Sequence, residues 1–160
     1  AASPSARAVV ALEPGQGEDV WFLDNLLTIK SRPETGLDFG VIESSMPEGS
    51  RTPFHRHDRE DEAFYVLDGT MTVFLDGGRR LHAVPGTFVH VPKGTAHGFV
   101  TTSPVRMLVL TGILGFVEMS RDAGVPAPRH ELPPLVPPDF ARLEAACARH
   151  HITLLGPLPE

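Results

Sequence analysis

Two histidines and a glutamate, His55, His57 and Glu62, stand where their side chains can meet around one cation. In an extended strand, side chains alternate faces with period two, so His55 and His57 project from one face while Phe54 and Arg56 point away. Two imidazoles converge there on one point. The stretch Asp58 to Asp61 reads as a charged turn, after which the strand pattern resumes at Glu62 and returns a carboxylate beside the pair. Such a site needs a fourth donor from elsewhere in the chain.

The elements that must hold these groups are short strands. Sixteen prolines and fifteen glycines are spread between brief apolar runs in 160 residues, a mostly β layout in one domain. Val20 to Ile29, with the only tryptophan, supplies one or two strands, and Leu37 to Met46 another. Ala1 to Ala8 is expected to be loosely held, and Ser31 to Gly36 to form a loop. In Glu62 to Leu67, residues Glu62, Phe64 and Val66 share a face and Tyr65 takes the opposite one. Thr70 to Leu75 alternates, with Met71, Val73 and Leu75 on one side. Asp76-Gly77-Gly78 turns the chain into a returning strand, Arg79 to Val84, and Val105 to Leu114 reads as a buried strand.

Beyond Gly115 the character changes. Phe116 to Ala123 is expected as a short helix, either covering the barrel mouth or packed outside it, followed by a proline-rich surface connector from Val125 to Pro138. Asp139 to His151 is the strongest helix pattern, with Asp139 at its N-terminus and an apolar stripe of Phe140, Leu143 and Cys147. His150 and His151 suit the negative end of that helix, while His82 and His90 read as partners standing behind the donors or, in preference, as satisfied polar residues on strands.

A formal charge of -6 argues against nucleic acid or an anionic membrane as the main partner, and no apolar run approaches the roughly 18 residues of a membrane span. With Cys147 as the only cysteine, no intrachain disulfide can form, which makes a reducing cytoplasm the default. No signal peptide is recognisable, yet the first residue is Ala, so processing and secretion stay open.

Two conspicuous stretches, read together, carry a resemblance. The first runs Gly49, five residues, His55, one, His57, four, Glu62, six, Gly69; the second runs Gly86, five, Pro92, one, Gly94, two, His97. This arrangement, with its short intermotif segment Thr70 to Pro85, resembles the two motifs of the cupin superfamily. The resemblance implies an all-β cupin jelly-roll barrel of two facing sheets with a short C-terminal helical extension. It divides the single domain 1–160 into an N-terminal arm and strands (1–36), a barrel core (37–115) and the helical extension (116–160). It further implies that His55, His57, Glu62 and His97 bind one divalent metal inside the barrel. Thr101 departs from the pattern, which often has Asn there, at a position that is not a ligand. Three imidazoles and a carboxylate favour Ni, Mn, Co, Fe, Cu or Zn over Mg or Ca, and an octahedral ion so held keeps two positions open.

The segments WFLDNLLTIK, HRHDREDEAFYVLDG and ITLLGPLPE are similar to those of bacterial monocupin quercetin 2,3-dioxygenases. That wider resemblance implies an oxidoreductase that opens the central ring of a flavonol with O2, releasing carbon monoxide and a depside, with Glu62 as ligand and base. A flat aromatic substrate needs an apolar slot, for which Phe64, Phe99 and Met107 are candidates, with Trp21 and Phe22 from the arm. The same arm suits a homodimer contact. Another metal-dependent cupin enzyme acting on a phenolic or enolizable substrate, or a non-catalytic binding protein, is the alternative.

Overall fold

Alternating apolar and polar residues give short strands, and most of them pair over their full length. The structure is a computed structural model that describes residues 9–31 and 37–160, so the expectations for Ala1–Ala8 and for most of the Ser31–Gly36 loop lie outside the described residues. Its strands are β1 (Glu18–Phe22), β2 (Asn25–Ile29), β3 (Gly40–Met46), β4 (Phe54–His57), β5 (Glu62–Asp68) and β6 (Met71–Leu75). They continue as β7 (Arg80–Ala83), β8 (Phe88–Val91), β9 (His97–Thr101), β10 (Val105–Thr111), β11 (Val125–Pro126) and β12 (Ile152–Gly156), with helices α1 (Gly115–Ala123) and α2 (Phe140–Arg149).

One antiparallel sheet has the order β11-β1-β2-β3-β10-β5-β8, and the other β12-β4-β9-β6-β7. Their inner faces enclose a core that includes Leu27, Ile29, Ile42, Met46, Phe64, Val66, Met71, Val73 and Met107. The burial of β5 reads inward at Glu62, Phe64 and Val66 and outward at Tyr65, which is half-exposed. A mostly β jelly-roll with a short C-terminal helix is therefore the architecture.

Gly69 closes the β5–β6 turn with φ of 81°, and a Cβ there would collide with the carbonyl oxygen of Pro104. Both facts call for glycine at that position. The Asp76–Gly78 turn is a single 3-10 turn joining β6 to β7.

The C-terminal extension differs from the expected one. It is not purely helical: β12 follows α2 and pairs antiparallel with β4, placing Ile152 opposite His57 and Leu154 opposite His55. Within α2 the buried stripe is Leu143, Ala146 and Cys147, whereas Phe140, on the first turn, is exposed. Asp139 does cap the helix, its carboxylate accepting from the Arg142 amide at 3.0 Å. The proline-rich connector contributes β11, which pairs with β1 through Val20 and Trp21.

Candidate metal centre

The four donors come from three strands and both sheets. His55 and His57 are carried by β4, His97 opens β9 directly opposite His55, and Glu62 opens β5 across the barrel. The period-two alternation of β4 turns both its imidazoles inward, and the turn at Asp58–Asp61 carries the chain over to the other sheet. One ligand atom from each of His55, His57, Glu62 and His97 lies within 4.8 Å of the others. His57, Glu62 and His97 are buried and His55 nearly so.

Hydrogen bonds fix the tautomers. Nδ1 of His55 donates to the Pro53 carbonyl at 2.8 Å and Nδ1 of His97 to the Thr95 carbonyl at 3.0 Å, since a carbonyl oxygen can only accept. Nδ1 of His57 is 3.0 Å from Oε1 of Glu60, a carboxylate buried behind it. Each ring thus presents the Nε2 lone pair. Nε2 of His97 lies 2.7 Å, and Nε2 of His57 3.2 Å, from Oε2 of Glu62. His57 Nε2 nevertheless makes no hydrogen bond and is fully buried. Lone pairs this close to an anionic oxygen require a shared cation, either a proton or a metal ion. The donor chemistry, the orphaned Nε2 and the convergence of all four groups fit a divalent transition metal.

The electrostatics agree. Burial, reinforced by the neighbouring His97, pushes His55 down to about 3, so its ring is neutral and ready to ligate at neutral pH. Burial alone would lower His57 as well, but the Glu62 charge and the Glu60 hydrogen bond outweigh it and raise it. Burial likewise opposes the charge on Glu62, yet the surrounding His57, His97 and His55 rings hold its carboxyl down at about 2.

Three of the donors, His55, His57 and Glu62, line an apolar cavity of about 60 Å³. Of the sequence candidates, Phe22, Phe64, Phe99 and Met107 line it. Trp21 does not. Alternation on β1 sends its ring to the outer side, where Nε1 donates to the Glu131 carbonyl at 2.8 Å. Lining residues that the sequence did not single out come from the extension: Phe116 and Met119 of α1, Leu143 and Cys147 of α2, Ile152 and Leu154 of β12. Phe116 lies edge-on to Phe22 with centroids 6.3 Å apart and 5.9 Å from the His57 ring, so α1 covers the cavity.

Histidines outside the donor set lie away from it. His90 bonds Asp61 at 2.9 Å on the surface, His82 is exposed on β7, and His150 bonds Asp122 at 2.7 Å. Thr101 donates to the Pro47 carbonyl at 2.6 Å and so fixes the turn before β4 rather than the metal donors. Glu60, which the sequence presented as one charge in a turn, is the buried partner of His57.

The sequence of the barrel core matches the cupin domain family over residues 42–111, which includes all four donors. Residues 42–111 form a cupin domain. Beyond the domain, the chain is similar to quercetin 2,3-dioxygenase of Bacillus subtilis (strain 168), 33% identical over 132 residues that cover 81% of this chain and 39% of the relative. It is also similar to acetate kinase EutQ of Clostridioides difficile (strain 630), 30% identical over 100 residues covering 62% of this chain and 59% of that one. The chain spans only about two to three fifths of the length of the curated relatives it matches. Among solved structures, ectoine synthase from P. lautus superposes with a TM-score of 0.57, covering 89% of this chain and 85% of its own at 16% identity, a likeness of fold. A shared fold does not decide the chemistry, which has to be argued from the site.

Proposed function

We propose that the cupin domain is a metal-dependent dioxygenase that cleaves a flavonol such as quercetin with O2. The observation that carries this reading is the His55, His57, Glu62 and His97 donor set, three members of which, His55, His57 and Glu62, line a cavity walled by Phe22, Phe64, Phe99 and Phe116. Similarity to the Bacillus quercetin 2,3-dioxygenase supports it. A divalent transition metal held by these donors supplies a Lewis acid that acidifies a hydroxyl brought to it and a meeting point for substrate and O2. Glu62, the one carboxylate among the donors, accepts the flavonol 3-hydroxyl proton, and the apolar walls orient the ring plane and exclude water. Both atoms of O2 enter the depside, and one ring carbon leaves with its oxygen as carbon monoxide.

A cavity of about 60 Å³ is small beside the roughly 300–1,000 Å³ of ordinary ligand sites. A groove of about 740 Å³ outside it shares the walls Thr52, Pro53, Leu143 and Leu154. A flavonol therefore needs Leu143 and Leu154 to move aside and join the two spaces. The same small volume favours a second reading, a cupin enzyme acting on a compact enolizable substrate that fits without such movement.

The test loads metal-stripped protein with Ni, Co, Mn, Fe, Cu or Zn in turn and follows quercetin absorbance, O2 uptake and carbon monoxide. Stoichiometric carbon monoxide with at least one metal is expected. None with any metal rejects the flavonol reading and leaves the compact substrate. The reading extends to a homodimer joined through the arm. Because Val20, Phe22, Leu27 and Ile29 are built into the core, the large apolar side chains that the described part of the arm exposes for that contact are Val9, Val10 and Leu12. A chain starting at Glu13 should then sediment as a monomer, and an unchanged dimer removes the arm from the interface.

A further inference from the structure

Glu60 stands out among the groups that the reaction above does not use. It is 4% exposed, its Oε1 takes the Nδ1 proton of His57 at 3.0 Å, and its Oε2 is buried without any partner. Burying a carboxylate costs several kcal/mol unless something on the protein uses the charge, so a turn residue placed in this way has a task. The surrounding geometry shows which one. The carboxylate lies against Gly115, the first residue of α1, so closely that a Cβ there would sit 3.0 Å from Oε1, 3.2 Å from Cδ and 3.3 Å from Oε2. Gly115 is thus the residue that allows this approach. The first turn of α1 has backbone amides without intrahelical partners and the positive end of the helix dipole, both of which favour an anion beside them. The next residue, Phe116, is the one that reaches the His57 ring and the cavity.

We infer that Glu60 is a positioning residue with two holds: it locks His57 in the tautomer that presents Nε2 to the metal, and it seats the N-terminus of α1 over the cavity. The inference rests on the metal-centre reading for its first hold. The contrast with the other two imidazoles supports it, because His55 and His97 donate Nδ1 to backbone carbonyls, while only His57 among the donors is backed by a charged group. A carboxylate behind a ligating imidazole orients the ring and strengthens it as a donor, and removing such a partner commonly lowers metal affinity by about 10–100-fold.

Glu60→Gln keeps the shape and removes the charge, while Gly115→Ala keeps the charge and presses on it. Two readouts are needed. The first is Co²⁺ affinity by competition with a chelator, where Glu60→Gln is expected to bind about 10–100-fold more weakly and Gly115→Ala at least about threefold more weakly. The second is the His57 imidazole ¹⁵N spectrum in the metal-free protein, taken at a pH high enough to remove the proton shared on the Nε2 side, where the wild type should show the Nδ1–H form and Glu60→Gln a mixture or the other tautomer. Affinity within twofold of wild type together with an unchanged His57 spectrum overturns the inference. A wild type that takes up no metal overturns the metal-centre reading instead, and the ¹⁵N spectrum then decides on Glu60 by itself. If Glu60→Gln fails to fold, Gly115→Ala carries both measurements, with wild-type affinity and spectrum again as the overturning result.

Discussion

At the scale of single residues, the proposed reaction asks most of Glu62, as both an anionic donor and the acceptor for a substrate proton. Glu62→Gln should lower turnover by about 10²–10⁴-fold while metal is still bound by His55, His57 and His97, measured as carbon monoxide release per metal ion. Unchanged turnover removes the base role. The metal-free cluster also sets a pH dependence. His55 is held down at about 3 in the folded chain against 6.5 when free, so the unfolded chain binds the extra proton. The corresponding stability is whole above pH 6.5 and is lost as pH falls towards 3, and Glu62, held at about 2 against 4.5, adds a loss of the same sign lower down. In EDTA, the stability from urea titrations should fall with acid between pH 6.5 and 4 by up to about 1.4 kcal/mol per pH unit per proton. His55→Gln should flatten that limb. The donor set was legible in the chain because period two places His55 and His57 on one face and the motif spacing supplies His97. Glu60 was not, because a residue within a turn has no periodicity to announce that it points inward.

At the scale of elements, the barrel strands could be read from alternation and turns, whereas the extension could not. Ile152 to Leu154 is a short apolar run with no glycine or proline between it and α2, so nothing in it separates a strand from the helical extension. The chain instead reverses at His151, which takes φ of 59°, a left-handed conformation that histidine enters more readily than most residues. That reversal turns β12 back onto β4 and puts Ile152 and Leu154 on the cavity wall. The two helices are tied together through Asp122, whose carboxylate accepts from His150 at 2.7 Å and Arg149 at 2.5 Å, while Arg142 donates to the carbonyls of Asp122 and Gly124. The hydrogen bonds from His150 and then Arg149 lower the Asp122 carboxyl, so this tie is present above the ordinary carboxylate range and weakens as acid titrates it. The pairs are solvent-exposed in part, and Asp122→Asn should cost only roughly 0.2–1 kcal/mol in a urea titration. A larger loss would mean that the tie is worth more than an exposed ion pair.

For the molecule as a whole, the question is whether the cavity opens without unfolding the barrel. The core strands enclose Phe64, Val66 and Val73 with essentially no exposure, whereas α1, α2 and β12 cover the site from one side and meet it through Phe116, Leu143 and Leu154. Cys147 reports on that cover. It is 2% exposed on the cavity wall, and burial, aided by Glu144, pushes its thiol up to about 11. At pH 8 its thiolate fraction is about 100-fold below that of a free thiol, so alkylation by iodoacetamide must pass through an open state. If the helices swing as a unit, the opening free energy from the alkylation rate will be smaller than the unfolding free energy from urea, and Asp122→Asn will speed alkylation by up to about fivefold. A flavonol can then enter a folded barrel. Equal opening and unfolding free energies would show that the cover lifts only when the barrel melts, and a site so closed would serve a substrate small enough for a cavity of about 60 Å³.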